Sequence, residues 1–270
     1  MTLTRALNVL ILTSGVFAAC LSMPASAQGF GASISPPRFE LRVKPGQTQR
    51  EVIEIQHIGA QSGSFRIYTN DWTFQADGSL AFSNDLAEGS CRPWVAVERR
   101  DLTITPNARY RYRFEITAPA DTTPRECRFA IMIEGTDPAR VEQSGVNIPV
   151  GGRIAVIVYA AIGGAEPQLA ITDMRVLQVG GQSVASLAVR NTGNAHGRLE
   201  GFLSGVDAVG NKFELSPADL PILPGETKAI AILAISEERQ KLPAIQFPLS
   251  VKGTIEWGKN RVPLEHTFAP

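Results

Sequence analysis

Apolar and polar residues alternate with a period of two along most of this chain. Residues 109–117, RYRYRFEIT, are the cleanest case. Tyr110, Tyr112, Phe114 and Ile116 fall on one face, and Arg109, Arg111, Arg113 and Glu115 on the other. Side chains of a strand alternate between its two faces, so this spacing predicts a strand with one wet face. Residues 127–133, CRFAIMI, bring Cys127, Phe129, Ile131 and Ile133 together, and 245–251 (IQFPLSV) and 262–268 (VPLEHTF) behave alike. Beyond the N-terminal segment no run of ten residues carries helical spacing. Turn signals separate the strand runs: ADG at 76–78, TPNA at 105–108, VGN at 209–211. Many short strands punctuated in this way predict an all-β chain built of sandwiches.

The pattern divides near residues 161–167, AIGGAEP, where Gly163, Gly164 and Pro167 interrupt a strongly apolar run. Both halves contain one turn sequence ahead of an apolar strand, PGQT at 45–48 and PGET at 224–227. The alternative is two unrelated turns that use the usual turn residues. We expect two sandwiches, at 28–160 and 167–270, joined by a hinge at 161–166. At roughly 130 and 105 residues each is of immunoglobulin size.

Composition narrows the function classes. The chain has 270 residues, is 44% hydrophobic and 19% charged, and carries no formal net charge. Without a basic excess it lacks the clustered Lys and Arg that phosphate backbones require, so nucleic acid is not an expected partner. The first 27 residues read as a signal peptide: Arg5, an apolar stretch from Ala6 to about Ala19, then small residues at Ala25 and Ala27, with cleavage before Gln28. The stretch is short for a bilayer span, and no membrane insertion is expected. Two alternatives stand beside this one, an uncleaved anchor and a lipoprotein modified at Cys20. Export would leave Cys91 and Cys127 in an oxidising compartment, where they are an obvious pair. A closed loop of about 36 residues is worth roughly 4 kcal/mol in the chain-entropy model. Two free buried thiols are the other reading.

Catalytic patterns are sparse. His57, His196 and His266 lack a second ligand at zinc-like spacing, and no G-x-S-x-G elbow, P-loop or G-x-G-x-x-G occurs. No metal, cofactor or enzymatic activity is expected, and His196 in NTGNAHGRL reads as a turn or strand-start residue. Residues 144–159 read as one unusual strand, and its first part stands out. Val146, Ile148 and Val150 alternate with Asn147 and Pro149, and proline suits an edge strand because it donates nothing to a ladder. A bare apolar edge is a liability in a soluble protein. Either another part of the chain covers it or a partner does, by adding a strand.

These features resemble one family when read in order. They are an exported chain, SPPRFEL on the first strand, PGQT, then PWVAVERRDLTITPNARYRYRFEITAP, CRFAIMIEG, an alternating apolar strand, a short hinge and a second sandwich. The order is similar to that of the periplasmic pilus-assembly chaperones, the PapD-like family. It matches well over about residues 30–160, and more loosely after 165 through VRNTGNAHGRLEG and LPGET. The resemblance implies two immunoglobulin-like domains set at an angle with a cleft between them. It also implies a chaperone that lends a strand to an unfinished pilin or fimbrial subunit (donor-strand complementation) and passes it to an outer-membrane usher. The donor residues it implies are Val146, Ile148 and Val150. The basic anchors for the subunit's C-terminal carboxylate are Arg38 and, if the strand bulges at Gly151-Gly152, Arg153. Self-capping as an idle dimer also fits. A guanidinium matches a carboxylate bidentately. Alternatively, Arg38 pairs with an acidic residue of the second domain. The rival to the chaperone reading is a secreted adhesin or surface protein of two sandwiches.

Overall fold

The computed structural model describes residues 31–75, 78–143, 146–236 and 243–270, with the backbone alone for 139–149. The expected signal peptide and Cys20 lie outside the described residues. The first unit contains β1 (Ala32–Ser35), β2 (Arg38–Val43), β3 (Thr48–His57), β4 (Gly63–Phe74), β5 (Leu80–Ser83), β6 (Val95–Val97), β7 (Asp101–Ile104), β8 (Arg109–Thr117), β9 (Arg125–Gly135), β10 (Ala139–Gln143), β11 (Val146–Val150) and β12 (Arg153–Ile162). Strands β1-β3-β8-β6 form one sheet. The sheet facing it runs β2-β12-β9-β4-β5, with β7 also on β4. The apolar faces meet between them: Ile53, Ile55, Tyr112, Phe114 and Ile116 pack against Phe129, Ile131, Ile133, Val156 and Val158. The alternation in 109–117 is therefore realised residue for residue in β8, whose arginines face solvent.

The first extended segment changes sheet at Pro36-Pro37. β1 pairs antiparallel with β3, whereas β2 pairs parallel with β12, Arg38 opposite Ile157. The prolines have no N–H to leave unpaired at the crossing, and the Pro37 carbonyl accepts from the Ile157 N–H at 3.1 Å. β2 is thereby an edge strand. Cys91 and Cys127 form a disulfide with both residues buried. It ties the short 3-10 turn Arg92–Trp94 to β9.

In the second unit β13 (Leu169–Val179), β14 (Gln182–Asn191), β15 (Leu203–Val206), β16 (Lys212–Pro217), β17 (Thr227–Ala234), β18 (Leu249–Trp257) and β19 (Asn260–Phe268) follow one pairing path, β13-β14-β17-β16-β15-β18-β19. The two layers share β17. Its first half, Thr227–Ala231, pairs with β14, and Ile232–Ala234 pair with β16. Leu187, Val189, Leu203, Leu215, Ile230, Leu249, Ile255 and Phe268 lie between the layers. The two shared turns adopt one geometry. Gly46 and Gly225 have φ of 75° and 78°, and the residue after each donates to the carbonyl three back. Only glycine takes the left-handed position of such a turn without strain, and proline before it fixes the entry.

Two expectations are corrected. Residues 144–159 are not one strand. The chain breaks at Gly151-Gly152, and the short run β10, ARVEQ, pairs antiparallel with β11. Strand pairing in the 245–251 run begins only at Leu249, because Pro248 has no N–H to give and the Gln246 N–H is bound to the Asp207 carboxylate.

The connection between units, residues 163–168, is held at several points. The Gly163 N–H donates to Val43, and the Glu166 and Gln168 N–H groups donate to the side chains of Asn194 and Asn191.

Candidate functional site

The two units meet on the far face of the β2-β12-β9-β4 sheet. Ala130, Met132, Trp72 and Tyr159 are buried there, with Leu223 of the second unit against them. A strand with both faces buried shows no wet side, and β9 meets this condition because Trp72 and Tyr159 of neighbouring strands, with Leu223 of the second unit, cover its far face. Beside this cluster lies a cavity of about 270 Å³ lined by Glu40, Glu126, Tyr159, His196, Arg198 and Trp257, among others.

The polar groups at its rim are connected. Glu40 Oε1 accepts a hydrogen bond from Arg198 Nε at 3.1 Å, forms an ion pair with Arg38 Nε at 3.0 Å, and lies 3.5 Å from His196 Nε2. Asp219 then bridges the two arginines: its Oδ2 is 3.3 Å from an outer nitrogen of Arg38, and its Oδ1 is 2.7 Å from Arg198. Below them Glu126 on β9, only 2% exposed, accepts from both the backbone N–H and the Nδ1 of His196. The His196 ring lies over Tyr159 with 3.9 Å between centroids.

Electrostatics follow from these contacts. The hydrogen bond from His196 pulls the Glu40 carboxyl down to about 2, against the opposing effect of burial and with help from Arg198 and Arg38. Burial alone would depress His196, but Glu126 and Glu40 outweigh it and raise the imidazole above its usual 6.5. Asp219 is held low by Arg198 and Arg38 although burial opposes this. Burial pushes the Tyr159 phenol up to about 12.

Of the residues singled out in the sequence, Arg38 stands at this site, paired with Asp219 of the second unit. Arg153 does not. It sits four positions before Ile157, Arg38's neighbour on β12, or about 13 Å along the strand. Glu134 is its cross-strand partner and Tyr68 is within its reach. β11 shares one edge with β10, and among the described residues no strand pairs with its other edge. Val150 is 47% exposed. The side chains of Val146 and Ile148 lie outside the described set. Along β12, pairing with β2 starts at Ile157, so among the described residues the same edge of Arg153–Val156 carries no strand either.

No family model matches this sequence, and no curated protein is similar to it. Solved structures do match. The chain is similar to fimbrial chaperones. Against the class 5 fimbriae chaperone CfaA the identity is 12% over 89% of this chain and 100% of that one, with a TM-score of 0.46. Against the Escherichia coli chaperone DraB the values are 13%, 88%, 96% and 0.44. Against the Salmonella enterica SafB chaperone in complex with SafA pilin they are 12%, 88%, 96% and 0.45.

Glu40, Glu126, Arg198 and Asp219 were not singled out in the sequence. Asp219 lies 181 residues from Arg38, and no local pattern joins them. The alternative that pairs Arg38 with an acidic residue of the second domain is what the structure shows, in Asp219, and the polar run NTGNAHGRLEG contains His196 and Arg198.

Proposed function

We propose that this chain is a periplasmic chaperone that completes unfinished immunoglobulin-like pilus or fimbrial subunits by lending them a strand, and hands them to an outer-membrane usher. The observation that carries this reading is the sheet edge beside Arg153–Val156, which no strand among the described residues covers, with Arg38 standing where it ends. β10 continues the β9 side of the hairpin, through the Gly135 N–H to the Gly152 carbonyl, and leaves β11 the edge on the β2 side. A subunit strand added along that edge, parallel to β12, ends at Arg38, where its terminal carboxylate meets a guanidinium. From Val150 to Ile157 is seven residues, or about 23 Å of extended chain, which suits one strand. Backbone bonds then supply affinity, and Val146, Ile148 and Val150 supply groove-filling side chains. Arg153 lies along the same edge, where it contacts the added strand rather than its end.

The test is co-expression with an immunoglobulin-like subunit that lacks its last strand, following subunit accumulation in the periplasm. Arg38→Ala abolishes accumulation while the chaperone stays folded, and Ile148→Asp lowers it. Undiminished subunit with Arg38→Ala removes the carboxylate anchor. Undiminished subunit with Ile148→Asp removes the donor segment. A surface adhesin of the same architecture is indifferent to both.

A further inference from the structure

Two arginines from different units share one exposed aspartate, and a third group holds the arginines in place. Glu40 binds the Nε of Arg38 and the Nε of Arg198. The outer nitrogens of both forks are turned to Asp219, one carboxylate oxygen to each arginine. Arg198 is further fixed by the Asp219 backbone carbonyl at 3.1 Å and by its position over the Tyr159 ring, and its side chain is only 10% exposed. The Asp219 side chain is 65% exposed. It lies past the end of β16, where a rotamer change moves it into water. The two arginines balance Glu40 and Asp219, so withdrawal of Asp219 leaves one positive charge and a preset double fork.

We propose that Asp219 is a resident stand-in for an incoming chain-terminal carboxylate, and that Arg198 is the second arm of the clamp with Arg38. This rests on the reading of Arg38 as a carboxylate anchor and assigns its missing partner to the second unit instead of to Arg153. The ligand carboxylate takes the two contacts that Asp219 gives up. Because Asp219 belongs to the second unit, ligand binding also releases one of the ion pairs that join the units. An exposed ion pair is weak, so the stand-in gives way to a ligand that brings strand pairing with it.

The test uses N-acetylglycine, which presents one carboxylate, and N-acetylglycinamide, which presents none. Binding to the full chain is followed through the arginine Nε–H signals by NMR. Asp219→Asn is expected to tighten N-acetylglycine about fivefold, as removal of an exposed competing ion pair allows. Arg198→Gln and Arg38→Gln are each expected to weaken it about tenfold or more, through loss of a charge-assisted bond. Should Arg198→Gln fold poorly, Arg198→Lys retains the charge without the fork and is expected to weaken binding too. Unchanged affinity in Asp219→Asn overturns the stand-in role. Unchanged affinity in both Arg198 variants overturns the second arm, and equal response to the amide overturns carboxylate recognition. If N-acetylglycine behaves as expected but no subunit is captured, the chaperone reading fails alone. If capture needs Arg38 and ignores Arg198, the second arm fails alone.

Discussion

Glu40 Oε1 receives two guanidiniums and an imidazole at one point. Such convergence ties the site to pH in a defined direction. His196 is raised above 6.5 in the folded chain, so the stabilisation from its protonated form is full below 6.5 and is lost as pH rises from there through the higher folded value. Glu40 shifts the other way, from 4.5 to about 2, so its contribution is full above 4.5 and is lost as pH falls towards 2. In thermal unfolding, the advantage of the wild type over His196→Gln is expected to shrink above pH 6.5. Its advantage over Glu40→Gln is expected to shrink below pH 4.5. A His196→Gln difference that stays flat as pH rises from 6.5 counts against a protonated His196. Arg38 was legible as a residue because a fixed charge after two prolines, at the start of an alternating strand, is anomalous in isolation. Its partner was not, because ion pairing across 181 positions leaves no periodicity to read.

The elements were largely legible where one face is wet and the other dry. β8 and β19 match their alternating runs closely. β10 was missed because Ala139–Gln143 holds only two apolar residues, too short an alternation to stand out, and its strand state depends on pairing with β11. Two elements carry their own predictions. The disulfide between Cys91 and Cys127 closes a loop of 36 residues, and Cys91→Ser with Cys127→Ser is expected to lower stability by about 2–4 kcal/mol in denaturant unfolding. A second concerns the turn after β14. A Cβ at Gly193 would stand 2.4 Å from the Glu166 carbonyl oxygen and 2.5 Å from the Gln168 nitrogen, both backbone atoms of the inter-unit connection. Gly193→Ala is therefore expected to destabilise by about 2 kcal/mol or more, visible as a lower unfolding midpoint. An unchanged midpoint would show that the connection can shift to make room.

At the scale of the whole molecule, the buried contact between the units is small in apolar area and dense in polar bonds. Glu126 accepts two bonds from His196 and is almost without solvent, so its loss leaves buried donors unpaired. Glu126→Ala is expected to separate calorimetric unfolding into two transitions, one per unit, and to lower the first. A single unshifted transition would mean that the tied connection at 163–168 suffices to couple them.

The sequence by itself determined most of the strands, the two turns that share PG, the all-β class and the presence of an odd arginine and a bare apolar run. Each of these is set by neighbours within about ten residues, through side-chain alternation and the backbone limits of proline and glycine. Tertiary structure alone decided which edges stay unpaired, which sheet each half of a switching strand joins, and which acid meets Arg38. Those outcomes depend on contacts between residues far apart in the chain, and the energy that selects them exists only once the strands have packed and, for Arg38, once both units face each other.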